Sequence, residues 1–321
     1  MDTGELSRMI KAEAAALGFD LAGISRAEQL QQEARDLEQW LAQGRHGTMH
    51  YMEAHFDARI DPRVLVPGAK SVISVLHNYF PAPEDRQPPG APKISRYAWG
   101  ADYHTVLKGK LYRLFERIRA LAGEVAGRVF TDSAPVMDKV WAKRAGLGWT
   151  GKHTNLITPR RGSYFFIGEI IVDLELAYDG PVRDFCGTCT RCIDACPTGA
   201  LEPYRIDAAK CISYLTIELK EQMPEAFRPH LEGWAYGCDI CQEVCPWNRF
   251  SSPHPGGEFK PLMVGTSGGA ASPLTALGAA EWEEFTESAF KKLARRSAIS
   301  RIKWAKWRDN LLHAAGSTPE P

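Results

Sequence analysis

The sequence predicts an α+β protein with three parts: a mixed helix-and-strand domain at residues 1–180, a compact cysteine-rich module at 181–250, and a linker with a helical tail at 251–321. Helical and strand-like hydrophobic patterns are mixed throughout the first part, as in an α+β or α/β domain. All eight cysteines lie between Cys186 and Cys245. The third part begins with a stretch rich in Ser, Gly, Pro and Ala and continues into a basic helical pattern.

Hydrophobic periodicity and turn residues locate the elements of this fold. Helices are predicted at residues 5–17, 27–43, 103–122 and 135–145. A short apolar stretch follows the first helix at residues 19–24, and strands are predicted at residues 71–76, 125–130 and 163–172. A helical tail is predicted at 280–313, after an irregular stretch at 251–278.

Composition favours an ordinary globular protein, with 44% hydrophobic residues and a formal net charge of zero. No run of about 18 apolar residues is present, so we expect no transmembrane helix. Residues 1–19 carry charges throughout and lack the apolar core of a signal peptide. We therefore expect a cytoplasmic protein.

The cysteine spacing indicates iron–sulfur ligation. Cys186 begins the run C-x₂-C-x₂-C-x₃-C-P, Cys238 begins a second run, C-x₂-C-x₃-C-P, and Cys211 lies between them. Bunched cysteines in a reducing compartment favour metal or cluster binding over disulfides. In proteins with two clusters, the cysteine before proline ligates the other cluster.

This rule divides the eight thiolates into two sets of four. The first cluster is predicted to bind Cys186, Cys189, Cys192 and Cys245. The second is predicted to bind Cys196, Cys211, Cys238 and Cys241. Two Cys₄ zinc sites are the alternative, but zinc motifs usually show C-x₂-C pairs separated by a longer loop. We therefore predict two [4Fe–4S] clusters, and the long preceding domain argues against a simple electron carrier.

The glycine segment from Gly146 to Gly151 matches G-x-G-x-x-G, and with Lys152 it nearly matches a P-loop. A dinucleotide fingerprint must follow a strand, whereas this segment follows a predicted helix. His153 stands where a P-loop needs Ser or Thr. Two interpretations remain: a helix C-cap followed by a tight loop, or a loop of small residues that approaches a large flat cofactor.

Several blocks together resemble the epoxyqueuosine reductases, cobalamin-dependent iron–sulfur enzymes of the last step of queuosine synthesis on tRNA. The blocks are Asp61–Lys70 (DPRVLVPGAK), Arg96–His104 (RYAWGADYH), Thr131–Pro135 (TDSAP), Arg144–Ile157 (RAGLGWTGKHTNLI), Cys211–Glu218 (CISYLTIE) and Gly237–Asn248 (GCDICQEVCPWN). The resemblance extends from near the N-terminus to about residue 310.

The resemblance implies a nitroreductase-like cobalamin-binding domain, a bacterial-ferredoxin-like module with two [4Fe–4S] clusters, and reduction of epoxyqueuosine at the tRNA wobble position. Candidate cobalamin contacts are Arg59, Tyr97, Asp132, Lys152, His153, Leu156 and Ser213. Asp102 and His104 begin the cobalt-ligating pattern D-x-H-x-x-G, but Leu107 stands in place of its glycine. We therefore expect that His104 is not a cobalt ligand, and a histidine in the first turn of a helix is an equal alternative to a site role.

Reduction of an epoxide needs a proton at the departing oxygen, which a carboxylic acid can supply. The family carries this role on the aspartate of its Asp-Ser/Thr motif, which is Asp132 here. Asp132 follows a predicted strand, at the strand end where α/β sites commonly lie. The alternative is a helix N-cap formed by Asp132 or Ser133.

The basic tail could contact the tRNA backbone, and Trp304 and Trp307 are interleaved with its charges. The basic residues are Lys291, Lys292, Arg295, Arg296, Arg301, Lys303, Lys306 and Arg308. The other expected partner is an external electron donor such as a flavodoxin or ferredoxin system, and the protein is expected to be a monomer. The alternatives are a reductive dehalogenase-like cobalamin enzyme, which usually carries a twin-arginine signal, and a non-catalytic two-cluster electron carrier.

Overall fold

The computed structural model describes residues 2–265 and 270–316. The irregular stretch predicted at 251–278 and the tail predicted to 321 therefore lie partly outside the described residues, at 266–269 and 317–321. The chain divides into two compact units, which are built from interleaved segments. The first contains residues 1–45, 50–78 and 104–189, and the second contains 46–49, 79–103 and 190–321.

The helices and strands are numbered along the chain. The α-helices are α1 Thr3–Ala16, α2 Gln31–Ala42, α3 Phe56–Ile60, α4 Pro62–Leu65, α5 Tyr103–Ala122, α6 Asp138–Arg144, α7 Arg191–Asp194, α8 Ile212–Ile217, α9 Ile240–Glu243, α10 Ala279–Glu283, α11 Glu287–Ala294 and α12 Trp304–Gly316. The strands are β1 Leu21–Arg26, β2 Ser71–Asn78, β3 Lys93–Ile94, β4 Gly127–Phe130, β5 Trp149–Thr150, β6 Leu156–Ile157, β7 Phe165–Val172, β8 Leu201–Glu202, β9 Arg205–Ile206, β10 Trp234–Tyr236, β11 Met263–Val264 and β12 Ser272–Pro273.

A four-stranded antiparallel sheet forms the centre of the first unit, in the order β1-β2-β7-β4. Every residue of β2 is buried, and most of β7 is buried as well. Strands covered on both faces are expected to be continuously apolar, and the sequences SVISVLHN and FFIGEIIV largely fit this rule. The two strands also contain an acid, Glu169, in the middle of the central strand β7.

The second unit has an aromatic core. Trp307 of α12 is fully buried, and its ring lies within 5.5 Å of Trp282 and Phe290. Asn310, one turn further along α12, donates hydrogen bonds to the carbonyl oxygens of Thr216 and Ala235 at 2.7 and 2.9 Å. Helix α12 is therefore fixed in the core of this unit.

The predicted α+β class is confirmed, and most predicted elements occur within a few residues of their expected positions. Helix α5 has the bounds predicted for it, 103–122. The helical tail is present as α10, α11 and α12, because the chain is interrupted where Thr286 caps α11 with its side chain and Ser297 caps a following 3₁₀ turn. Among the described residues, no helix combines the length and the apolar character that a membrane span requires.

Candidate functional site

Four predicted cluster ligands lie close to one another in the second unit. Burial raises the pKa of the Cys238 and Cys241 thiols, and the thiol of Cys211 raises both further. Cys192 and Cys196 also raise the pKa of Cys241. All eight cysteines are free thiols. A group of buried thiols without disulfides is the donor set that a [4Fe–4S] cluster requires.

The loop that carries Cys186 and Cys189 belongs to the first unit. It is bound there to the glycine hairpin, residues 146–157, in which β5 pairs with β6. The indole Nε1 of Trp149 donates to Sγ of Cys186 at 3.5 Å. The ammonium of Lys152 donates to the carbonyl oxygens of Gly187 and Cys189 at 2.7 and 3.0 Å. Trp149 is 1% exposed and Lys152 is 9% exposed, so both contacts are sheltered from water.

The backbone conformation and packing of the hairpin account for its glycines at positions 146 and 148. Gly146 has φ +75° directly after α6, as expected for a helix C-cap. A Cβ at Gly148 would lie 2.2 Å from the carbonyl oxygen of Ile157. Glycine at position 148 is therefore required by backbone packing within the protein, and the segment leads from a helix into a strand, unlike a dinucleotide fingerprint.

Asp132 lies in the loop between β4 and α6. Its backbone has φ +48°, a left-handed conformation that costs energy for most residues but is better tolerated by Asp and Asn. Its side chain is 62% exposed, and Oδ2 is 3.9 Å from Nε2 of His104 in the first turn of α5. The interpretation of Asp132 or Ser133 as a helix N-cap is wrong, because α6 begins at Asp138 and Met137 occupies its N-cap.

Two further carboxyl groups, those of Asp138 and Glu169, lie near Asp132. Glu169 of β7 is fully buried, and the charge of Asp138 at the start of α6 acts on it. Burial raises the pKa of Glu169 well above its ordinary value and raises that of Asp138 to about 6. The negative charge of Asp132 raises both further.

Two predicted cofactor contacts carry buried donors without a hydrogen-bond partner among the described residues: Nε of Arg59 and Nε2 of His153. Nδ1 of His153 accepts from the amide of Asn155 at 3.1 Å, so the proton of the neutral ring lies on Nε2. Burial lowers the pKa of His153 to about 4, so the ring is neutral at pH 7. Buried donors without partners are uncommon in proteins and fit a ligand rich in acceptors.

The other predicted contacts are divided between the units. Leu156 is buried in β6 of the first unit. In the second unit, Tyr97 packs edge-on against Tyr103 with ring centroids 6.2 Å apart, and Ser213 lies in the first turn of α8.

Comparisons with known proteins agree on one family. Residues 185–248 match the 4Fe-4S double cluster binding domain, and residues 59–133 match the model of epoxyqueuosine reductase QueG, DUF1730. An epoxyqueuosine reductase of Leadbetterella byssophila is 55% identical over 300 residues, which are 93% of this chain and 95% of that protein. The chain belongs to the epoxyqueuosine reductase family.

Further relatives agree with this assignment. The epoxyqueuosine reductase of Escherichia coli is 40% identical over 99% of this chain and 83% of its own length. A crystal structure of an epoxyqueuosine reductase with an epoxyqueuosine-modified tRNA-Tyr stem loop matches 98% of this chain and 81% of that one, with a TM-score of 0.83 and 30% identity. Another, from Bacillus subtilis, has a TM-score of 0.84 and is described with its catalytic aspartate loop swung out of the active site.

Membership of the epoxyqueuosine reductase family confirms the function predicted from the sequence. The chain is an oxidoreductase that reduces epoxyqueuosine to queuosine in tRNA. Its cofactors are two [4Fe–4S] clusters and cobalamin, on which this family depends. It binds tRNA.

A second sequence interpretation is wrong, and one feature was missed. Trp307 cannot contact tRNA, because its side chain is fully buried in the aromatic core of the second unit. Trp304 is only partly buried. The carboxyl pair of Asp138 and Glu169 was not predicted, although an acid within the apolar run FFIGEIIV was a signal for it.

Proposed function

We propose that Asp132 is the general acid of epoxyqueuosine reduction in this chain. Conversion of an epoxide to an alkene with loss of its oxygen as water takes two electrons and two protons. Asp132 supports this role because its carboxyl projects from the end of β4, is largely exposed and is not used as a helix cap. Proximity to His104 provides a titratable neighbour from which the carboxylate could recover a proton.

Cobalamin, when bound, supplies a reducible cobalt centre that can act as a nucleophile. On the side of the first unit, Arg59 and His153 carry the buried donors that would bind its amide or phosphate oxygens. Leu156 would add apolar contact. The ammonium of Lys152 is already bound to the cysteine loop. The contacts of Tyr97 and Ser213 with cobalamin remain predictions.

Electrons would reach the cobalt through the two clusters, with the crossed ligand sets predicted from the spacing. The electrostatic effect of Cys211 on both Cys238 and Cys241 supports placing these three cysteines in one set. The donor would be a low-potential one-electron carrier such as a flavodoxin or ferredoxin. Cytoplasmic location is proposed because tRNA and reduced thiols are found there, and the working form is proposed to be a monomer. The domain division at about residues 180 and 250 is likewise proposed.

Exposed basic residues of the tail are proposed to contact the tRNA backbone. Lys292, Lys303 and Arg308 are exposed, whereas Lys306 is half-buried. Arg301 is bound to Glu218 at 2.8 Å and should contribute less. Replacing Lys292 and Lys303 by alanine should weaken tRNA binding and reduce the salt slope by roughly one for each phosphate that is no longer bound. A slope equal to that of the wild type would contradict the proposed binding of phosphates by these lysines.

The decisive experiment is reduction of epoxyqueuosine-containing tRNA by the purified protein with cobalamin and a strong reductant. Asp132→Asn should bind both kinds of cofactor and lose roughly 10²-fold or more of its turnover. Ser133→Ala is the matched control, since it removes the neighbouring hydroxyl and leaves the acid. Full turnover by Asp132→Asn would remove the assignment.

A further inference from the structure

Lys152 is a buried cation to which no described residue supplies a counter-charge. Its ammonium is bound by two carbonyl oxygens, those of Gly187 and Cys189, and no carboxylate of the described residues forms an ion pair with it. Buried charges are normally paired with an opposite charge or bind a metal centre. Both of its acceptors belong to the Cys186–Cys189 loop, which holds two predicted cluster ligands.

A [4Fe–4S] cluster with four cysteine thiolates has a net negative charge, which becomes more negative on reduction. A cation fixed against the backbone of its ligand loop therefore stabilises the reduced form more than the oxidised form. The cluster is thus the anionic partner that the environment of Lys152 lacks.

Trp149 acts on the same loop in a second way. Its Nε1–H donates to Sγ of Cys186, and its ring packs edge-on against Phe185 with centroids 5.3 Å apart. Hydrogen bonds to cluster sulfurs are one of the main determinants of reduction potential. The bond withdraws negative charge from the sulfur, which again favours the reduced cluster.

Lys152 and Trp149 both lie in the glycine hairpin of the first unit. We propose that they are positioning residues that hold the Cys186–Cys189 loop and raise the reduction potential of the cluster bound by these cysteines. The hairpin also carries His153 and Leu156, the proposed cobalamin contacts. One short segment would then set both the energy of the electron-donating cluster and the surface that receives cobalamin. The inference depends on the two clusters and on the ligand set proposed above, but not on the role of Asp132.

The test is an EPR-monitored redox titration of the reconstituted full-length protein, without tRNA and without cobalamin. Trp149→Phe keeps the aromatic ring and removes only the N–H donor. Lys152→Met keeps the length of the side chain and removes the charge. We expect each variant to lower one of the two midpoint potentials and to leave the other at its wild-type value. Lys152→Arg should restore most of the potential lost in Lys152→Met.

Lys139→Met is the matched control. Lys139 binds the same hairpin through the carbonyl oxygen of Thr154 and Oδ1 of Asn155, and neither of these acceptors belongs to the cysteine loop. Its variant should leave both potentials unchanged. The proposal is overturned if Trp149→Phe and Lys152→Met leave both potentials unchanged, or if either variant shifts both potentials equally.

If Lys152→Met fails to assemble the cluster, the titration of Trp149→Phe decides: a lowered single potential supports the proposal, and an unchanged one overturns it. Iron content and circular dichroism identify this case. These readouts are independent of turnover, so loss of epoxyqueuosine reduction through Asp132 cannot be confused with failure of this inference.

Discussion

The carboxyl group of Asp138 lies close enough to the buried Glu169 to raise the pKa of Glu169, and neither group is a hydrogen-bond donor when ionised. Glu169 is fully buried, and among the described residues no hydrogen-bond partner reaches either of its carboxyl oxygens. The pair is therefore satisfied only when a proton lies between the two groups. Burial raises the pKa of Glu169 well above its ordinary value, and the charge of Asp138 raises it further.

This pair should make the folded state less stable as the pH rises. Both pKa values are raised on folding, from the ordinary 3.8 to about 6 for Asp138 and further for Glu169. The unfolded chain therefore releases these protons first, and the free energy of unfolding falls from about pH 4 through pH 6 and above. The charged or titratable neighbours of this carboxyl pair are Arg59, Lys139 and Asp132, with His104 beyond Asp132.

Glu169→Gln removes the titrating proton and keeps the shape of the side chain. We expect it to flatten the pH dependence and to stabilise the protein above pH 7 by on the order of 1–3 kcal/mol, the usual cost of an unsatisfied buried polar group. Chemical denaturation at several pH values measures this. Asp173→Asn, at the far end of the same sheet, is the control and should leave the slope unchanged. Equal destabilisation of Glu169→Gln at every pH would contradict the shared proton.

The left-handed backbone of Asp132 predicts which substitutions this position tolerates. Asn adopts positive φ nearly as well as Asp, so Asp132→Asn should unfold at the same denaturant concentration as the wild type. A β-branched residue is a poor fit there, and Asp132→Val should lose roughly 1–2 kcal/mol of stability. Denaturation of the cofactor-free protein separates this effect from catalysis. Equal stability of the Val and Asn variants would argue against strain at Asp132.

The sequence predicted local structure well where one signal dominated. Helix α5 and strand β2 follow from hydrophobic periodicity, and Gly146 marked the end of α6. The start of α6 was placed too early at 135, because Pro135 resembles a helix start although the chain continues irregularly to Met137. Such boundaries depend on loop geometry that a single sequence does not determine.

The cysteine spacing predicts that Cys211 is required for only one of the two clusters. Cys211 is the one cysteine outside the two runs, and it lies near Cys238 and Cys241. Cys211→Ala should therefore lose the second cluster and retain the first, so that iron falls from about eight to about four atoms per chain. Iron and acid-labile sulfide assays check this. Retention of all the iron would show that Cys211 is not a ligand, and loss of all of it would show that the first cluster depends on the second.

Predictions of side-chain roles were less certain than predictions of elements. Lys152 and Trp307 both belong to polar or basic stretches, yet one is bound to a cysteine loop and the other lies in an aromatic core. Which side of an element faces the core depends on partners that are distant in sequence, such as Phe290 and Trp282 for Trp307. The cysteine assignment did not have this weakness, because ligand chemistry and spacing restrict it strongly.

Gly148 and Gly109 should respond to alanine in opposite directions. A Cβ at Gly148 would lie 2.2 Å from the backbone oxygen of Ile157, which cannot move without separating β5 from β6. Gly148→Ala should therefore lower stability by roughly 1–3 kcal/mol. Gly109 lies within α5 with no neighbour within 4 Å of an added Cβ, so Gly109→Ala should raise stability by roughly 0.5–1 kcal/mol. Thermal unfolding of both variants tests the pair. Because the hairpin holds Lys152 against the Cys186–Cys189 loop, Gly148→Ala should also loosen that loop. If this variant assembled the cluster normally and were as stable as the wild type, a glycine at position 148 would not be required.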